Sequence, residues 1–235
     1  MIKPPAVFAA LCVVLAITPA FAAGRPVVVE LFTSEGCSSC PPADALLARL
    51  ATRPEVLALS FHVDYWDRLG WKDPFSSAAA TGRQRHYAEL LGLGNVYTPQ
   101  LVVDGRWQAV GSDRSEVEQA LNSARGMPMA VPVTLALDHS RVRIAIGATG
   151  GAAAGSVVLI GFDRRHVDAV SGGENDGRTL AHVDVVRGIA EVGRFDGKGG
   201  TIEAPIGWHA DRLAVLVEAD DGHVLGAAVA DDAPL

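Results

Sequence analysis

Two cysteines three positions apart, Cys37 and Cys40, constrain this chain most. A β-branched run at residues 27–32 precedes them and predicts a strand. After them, apolar residues recur at the spacing of one helix face: Ala43, Leu46, Leu47 and Leu50. Only a thiolate attacks a disulfide, and the unpaired N–H groups at a helix start stabilise that anion. We therefore expect an exposed, attacking Cys37 and a more buried Cys40 that resolves the mixed disulfide.

The segment up to residue 126 predicts the order strand, helix, strand, helix, strand, strand, helix. Its second strand, residues 56–63, follows the first helix closely enough for a right-handed parallel crossover. A helix is predicted within residues 76–93, a hairpin turning at residues 104–105, and a last helix capped by Ser112. This order is that of the thioredoxin core without its extra N-terminal elements.

Beyond the linker at residues 126–128 the pattern changes to short apolar runs separated by Gly, Asp and Asn. Such spacing predicts an antiparallel β-sandwich. The fold expected is thus an α/β thioredoxin-like domain at residues 24–126, followed by an antiparallel β-sandwich domain at residues 127–235. The predicted strands of the second domain are residues 131–137, 142–146, 157–162, 182–186, 201–206, 213–218 and 224–229.

Residues 1–23 predict a cleaved export signal. Lys3 is followed by an apolar run at residues 7–17 and a small-x-small pattern at residues 20–22. A membrane anchor needs about 20 apolar residues, more than the prolines leave here. Cleavage removes Cys12, so Cys37 and Cys40 can pair only with each other, in a compartment where disulfides persist. We expect a periplasmic or secreted protein without a membrane anchor.

The net charge of −7, with no Lys/Arg cluster, argues against a nucleic-acid partner. The expected partners are a protein or small thiol or disulfide substrate, and a redox partner protein. No metal or cofactor is expected beyond a redox-active Cys37–Cys40 disulfide, because zinc needs four ligands and no second ligand pair is present. A purely structural disulfide, worth about 2 kcal/mol over so short a loop, and a two-thiolate copper(I) site both stay open.

Thr98 and Pro99 give the second signal. They directly precede the strand that starts near residue 100, where a thioredoxin core places a cis-proline facing the two cysteines. Such a turn would shape a groove in which a substrate peptide pairs. The alternative is an ordinary trans proline at a strand start.

A polar, aromatic loop after the second strand supplies further candidates. Parallel strands end at the same edge of a sheet, so this loop is expected beside the cysteines. His62 or Asp64 would relay protons to Cys40 or tune Cys37, with Trp66 and Trp71 lining the groove. In the alternative, the aromatic residues wall a small core and the carboxylates cap backbone.

Three further features give weaker signals. The stretch 173–182 is polar and rich in turn residues, which indicates an interaction loop without assigned chemistry. His182 belongs to a scattered set that is more typical of surface or core residues than of ligands. Glu35, if close to Cys37, would oppose a thiolate.

In these residues the chain resembles the secreted thioredoxin-like family catalogued as domain of unknown function 1223. The resemblance implies an exported two-domain protein of the thioredoxin superfamily, without a settled activity. Asp176 departs from it, since a basic residue is expected there. The matching segments are residues 28–44, 62–67, 70–75, 83–87, 97–100 and 177–187.

The first hypothesis is accordingly an exported thiol–disulfide oxidoreductase, in which Cys37 is the nucleophile, Cys40 resolves and Pro99 shapes the substrate groove. The alternative is a binding or assembly module on a thioredoxin scaffold, whose disulfide stays oxidised and inert.

Overall fold

A computed structural model describes residues 26–127, 131–138, 140–150 and 153–231. The export signal predicted for residues 1–23 lies outside the described residues, as does Cys12. We call residues 26–127 the first half and residues 131–231 the second half.

The first half has the predicted order of elements. Its first strand, β1, is buried on both faces, as its continuous apolar sequence indicates. The parallel crossover is confirmed, because β1 pairs in parallel with β2 along its whole length. The elements are β1 Val27–Thr33, α1 Pro41–Leu50, β2 Val56–His62, α2 Ala78–Leu90, β3 Gln100–Val103, β4 Trp107–Val110 and α3 Arg114–Arg125.

One predicted cap is wrong. The N-cap of α3 is Asp113 and not Ser112, because the Asp113 carboxylate accepts hydrogen bonds from the backbone N–H groups of Ser115 and Glu116 at 2.9 and 3.1 Å. A carboxylate at this position satisfies two amides that the helix itself leaves unpaired.

The second half contains a strand at each of the predicted apolar runs. Two of them, β7 and β8, have 15 and 17 residues and therefore extend well beyond the runs that predicted them. The strands are β5 Val133–Asp138, β6 Arg141–Ile146, β7 Gly155–Ala169, β8 Thr179–Phe195, β9 Gly200–Pro205, β10 Arg212–Ala219 and β11 Val224–Asp231.

The described strands form one large mixed sheet and one small antiparallel sheet. The large sheet has the order β11-β10-β7-β8-β2-β1-β3-β4, and the small one β5-β6-β9. Strands of both halves share the large sheet, since β8 runs parallel to β2 with Val185 opposite Ser60. The small sheet packs its apolar residues against those of β7, β10 and β11 in one buried cluster.

A buried charged cluster joins the halves on one side of the large sheet. Arg83 of α2 donates to the carboxylates of Glu30 on β1 and Glu218 on β10. The hydroxyl of Tyr87 donates to Glu30 and accepts from Arg83, at 2.6 and 2.9 Å. We call these four residues the arginine cluster.

No helix among the described residues is long and apolar enough to cross a membrane.

Candidate functional site

The two cysteines form a disulfide at the start of α1. Their Cα atoms are 5.5 Å apart, and Cys40 is the N-cap residue of the helix. The prolines at 41 and 42 fit this place, because the first helical turn needs no N–H donor. The expected pairing of Cys37 with Cys40 is thereby confirmed.

The expectation that Cys37 is exposed is wrong. Both Cys37 and Cys40 have 0 % of their surface accessible, although Ser38 and Ser39 between them are exposed. The Sγ atom of Cys37 lies 3.3 Å from both the Ser39 hydroxyl and the Thr98 hydroxyl. Side chains on two sides therefore cover the sulfur that would react.

The Thr98–Pro99 turn lies beside the disulfide, and its peptide bond is cis, as predicted. The Thr98 hydroxyl donates to Cys37 Sγ and accepts a 2.8 Å hydrogen bond from the indole of Trp66. Pro99 is buried, and its carbonyl accepts from the backbone N–H of Gly111 at 2.9 Å. Gly111 packs closely at this turn, since a Cβ atom there would lie 2.8 Å from Cδ1 of Leu31 and 3.3 Å from Cβ of Pro99.

The loop after β2 lies at the same edge of the sheet, but its candidate site residues contact different parts of the molecule. Trp66 reaches Thr98, and the indole of Trp71 donates to the Glu35 carboxylate at 2.7 Å. Asp64 instead accepts from the hydroxyl of Thr81 at 2.6 Å, so it ties the loop to α2.

His62 is buried at the end of β2 and pairs with Asp73. Its Nδ1 atom is 2.7 Å from the Asp73 carboxylate, and both side chains are fully buried. Burial opposes the charged imidazolium, but the nearby carboxylates, Asp73 first, outweigh it and raise the pKa of His62. Burial also acts against the Asp73 anion, yet the pairing with His62 and two backbone N–H donors lower the pKa of Asp73.

His182 brings the second half into the site. From β8, its Nε2 atom lies 3.2 Å from Glu35 and its Nδ1 atom 3.9 Å from Asp44. The imidazole rings of His62 and His182 are 4.7 Å apart. Asp44 accepts a 2.8 Å hydrogen bond from Thr33, and burial raises its pKa against the opposing effect of the two histidines.

We call this group the histidine cluster; its members are His62, Asp73, Glu35, Asp44 and His182. Two of its buried nitrogen atoms, Nε2 of His62 and Nδ1 of His182, have no hydrogen-bond partner among the described residues. Within the same part of the chain, no three or more His, Cys, Asp or Glu side chains are placed to hold a metal ion.

A segment of the second half covers the disulfide loop; we call residues 172–175 the cap segment. The Glu174 carboxylate accepts from the backbone N–H and the hydroxyl of Ser38, at 2.9 and 2.7 Å. The side chain of Asn175 donates to the carbonyl groups of Glu35 and Cys37, each at 2.8 Å. The stretch 173–182, predicted as an interaction loop, thus binds the chain's own cysteine loop.

Sequence reasoning did not assign Asp44, His182, Glu174 or Asn175 to the site. Asp44 had a local signal, because it follows Cys40 by one helical turn. The other three had none, since they lie 136 or more residues from their partners in sequence.

Comparisons with known proteins agree with this architecture. A family model described as a protein of unknown function (DUF1223) matches residues 28–218. The crystal structure of protein AGR_C_4864 from Agrobacterium tumefaciens has 33 % identity and a TM-score of 0.76, over 91 % of this chain and 98 % of that one. HBP35 of Porphyromonas gingivalis shares the fold, with 14 % identity and a TM-score of 0.61, over 88 % of this chain and 75 % of that one. No curated protein matches significantly.

Proposed function

The chain belongs to the DUF1223 family, whose description assigns no activity, and we propose from the geometry of the site that it is a thiol–disulfide oxidoreductase acting through Cys37 and Cys40. One observation carries the proposal: the disulfide lies at the start of α1 with Thr98, next to Pro99, only 3.3 Å from the Cys37 sulfur. A disulfide kept for stability needs no such neighbour.

The proposal includes the finer fold assignment. The order of elements in the first half, the β1–β2 crossover and the place of Pro99 support a thioredoxin-like domain. The shared core of the small sheet with β7, β10 and β11 supports a sandwich arrangement in the second half.

The exchange moves two electrons and two protons. A substrate thiolate attacks Cys37 Sγ, a new sulfur–sulfur bond forms, and Cys40 leaves as a thiolate that takes up a proton. A second substrate thiol then loses its proton, and its thiolate attacks the substrate sulfur of the mixed disulfide. Cys37 Sγ leaves as a thiolate that takes up the second proton, so the substrate leaves as a disulfide and the protein as a dithiol. The reducing direction is the reverse sequence.

Asp44 is the group that exchanges the proton of Cys40 in this proposal. One helical turn separates the two residues, so their side chains share a face of α1. Burial raises the pKa of Asp44, which lets its carboxyl group hold a proton at higher pH than an exposed aspartate does. His182 and His62 connect it to the remainder of the histidine cluster.

The second candidate function is a binding or assembly module that uses this fold as a scaffold. The complete burial of both cysteines favours it. In that case the disulfide would stay oxidised, with a reduction potential below about −300 mV as in structural disulfides. The oxidoreductase requires a more positive potential and an opening movement that brings Cys37 to the surface.

Peptide substrates separate the two candidates. The reduced protein is mixed with a peptide that carries one disulfide, and the reduced peptide is followed by chromatography. We expect Cys37→Ser to abolish the exchange and Cys40→Ser to accumulate a mixed disulfide, visible as the protein mass plus the peptide mass. An unreacted peptide, together with a disulfide that stays oxidised in glutathione buffers, as a potential below about −300 mV predicts, would leave only the scaffold.

The compartment is part of the proposal. An exported protein in the periplasm or outside the cell would keep a disulfide of this kind, and a redox partner protein there would restore it after each turnover. Fractionation of expressing cells and N-terminal sequencing of the mature chain test this, with a new N-terminus near residue 23 as the expected result.

A further inference from the structure

The cap segment binds the backbone next to Cys37 at several points. The backbone N–H of Glu174 donates to the carbonyl of Gly36 at 3.3 Å, in addition to the Ser38 and Asn175 contacts described above. Asn175 has 0 % of its surface accessible, whereas the Glu174 side chain is exposed. The segment therefore has one anchored residue and one residue that can separate from its partner directly into water.

Glycines allow this close contact. A Cβ atom at Gly172 would lie 2.5 Å from the carbonyl oxygen of Gly70, and one at Gly173 would lie 3.3 Å from the Cα atom of Gly36. Gly173 also has a φ of +66°, a conformation that side chains rarely adopt. The backbone of the cap segment thus lies against the cysteine loop at Gly173 and against the loop after β2 at Gly172.

The carboxylate of Glu174 binds the residue next to the reacting sulfur. Ser38 follows Cys37 directly, and both its N–H and its hydroxyl are held by one carboxylate. Hydrogen bonds to an ionised acceptor are stronger than neutral ones. The hold on the cysteine loop therefore depends on the charge of Glu174.

Building on the proposed oxidoreductase function, we propose that Glu174 is a positioning residue that sets how often Cys37 becomes accessible, by holding the cap segment on Ser38. Release of this carboxylate frees Ser38, and with it the neighbouring Ser39 whose hydroxyl lies 3.3 Å from Cys37 Sγ, to move away from the sulfur, while Asn175 keeps the end of the cap segment attached. A substrate reaches Cys37 Sγ only in the released state.

The charge of Glu174 gives this role a pH dependence. The hydrogen bonds from the Ser38 backbone and side chain lower its pKa from the ordinary value of 4.5. A lowered pKa means that the contact is complete above the ordinary value and is lost as the pH falls through the lowered one. The other charged groups nearby are Arg178, which donates to Asn175, and Glu35, which Trp71 and His182 engage.

Reduction by an uncharged phosphine, tris(hydroxypropyl)phosphine, tests the proposal without any catalytic turnover. The phosphine and one water molecule convert the disulfide to two thiols and leave a phosphine oxide. We expect Glu174→Gln to be reduced about tenfold faster than the wild type at pH 7, because a charge-assisted hydrogen bond is replaced by a weaker one. Asp176→Asn is the matched control: it removes the same charge from the same loop, has no hydrogen bond to residues 36–38 in the described structure, and should leave the rate unchanged.

Two further measurements exclude a general loosening of the fold. The ratio of the Glu174→Gln rate to the wild-type rate should fall toward one as the pH drops below 4.5. Ser38→Ala removes the hydroxyl donor and keeps the backbone N–H, so it should raise the rate less than Glu174→Gln does. The double variant should be slower than the product of the two single effects predicts, because both changes act on one carboxylate.

A ratio within twofold of one at pH 7, or a ratio that does not change with pH, would overturn the role of Glu174. These results are independent of peptide turnover. If the wild-type protein does not react with the peptide but the ratio of the two phosphine reduction rates is as expected, the proposed function is overturned. The cap segment would then still control access to the disulfide.

Discussion

Two buried charged clusters join the halves of this molecule, and they differ in how completely their polar atoms are paired. The arginine cluster surrounds one guanidinium with two carboxylates and a hydroxyl, and every charged group has a partner. The histidine cluster contains two nitrogens, on His62 and His182, that have no hydrogen-bond partner in the part of the chain that the structure describes. Of the two clusters, the histidine cluster includes Asp44, which lies on the helix that begins at Cys40.

This difference separates a structural cluster from one that can respond to protons. Burial opposes the charge on Arg83, but Glu218 and Glu30 outweigh it and raise the pKa of Arg83 well above its ordinary value. Arg83 is therefore charged at any pH at which the protein is folded. Charged partners compete with burial at His62 and Asp44 as well, but the ordinary pKa values of these groups, 6.5 and 3.8, lie well below that of arginine, and the site raises both. Their protonation can therefore change within the pH range in which the protein is folded.

The largest effect is expected from Arg83→Met. It leaves the carboxylates of Glu30 and Glu218 buried without a counter-charge, and loss of one partner of a buried pair costs about 3–5 kcal/mol. Urea unfolding at pH 7 measures this. The triple variant with Glu30→Gln and Glu218→Gln is the control and should recover part of the loss. A loss below about 1 kcal/mol would show that the cluster does not hold the halves together.

His62→Gln should have a smaller effect that depends on pH. The raised pKa of His62 means that its charged form adds stability below the unfolded value near 6.5, and this stability is lost as the pH rises through the folded pKa. We expect a loss of about 2 kcal/mol at pH 5.5. It should shrink at pH 9. An equal loss at both pH values would mean that the variant reports packing alone.

Asp44→Asn should stabilise the protein slightly. The raised pKa of Asp44 means that its ionised form costs stability above the unfolded value of 3.8, and the amide removes this cost while still accepting from Thr33. The expected gain is about 1 kcal/mol at pH 8. None is expected at pH 3, where both forms are neutral. A loss at pH 8 would show that the His182 contact outweighs burial.

Glu118→Gln gives the smallest effect and calibrates the others. Glu118 pairs with Arg53 on the surface, with 29 % and 28 % of the two side chains exposed. Solvent screens such pairs, so we expect a loss of about 0.5 kcal/mol that disappears in 1 M salt. A loss of unfolding free energy comparable with that of Arg83→Met would show that buried and exposed ion pairs contribute equally to stability.

The local parts of the site could be predicted from the sequence. The disulfide, the start of α1 and the strand after Pro99 are encoded within a few residues of each other, as spacing, proline positions and apolar periodicity. The seven strands of the second half were predictable for the same reason.

The burial of Cys37 was not predictable, because it depends on contacts between distant parts of the chain. Asn175 lies 138 residues from Cys37, and His182 lies 147 residues from Glu35. The register of β8 beside β2 determines which residues of the long β7–β8 hairpin reach the cysteines. A short apolar run at residues 182–186 does not specify that register.

The place of β8 beside β2 determines what happens if the chain is cut between its halves. Without β8, the row of backbone N–H and C=O groups on that side of β2 would have no neighbour. β2 is buried along its length and mostly apolar in sequence, so this open edge would be a template for pairing with another molecule. We therefore expect the first half to aggregate when it is produced without the second half.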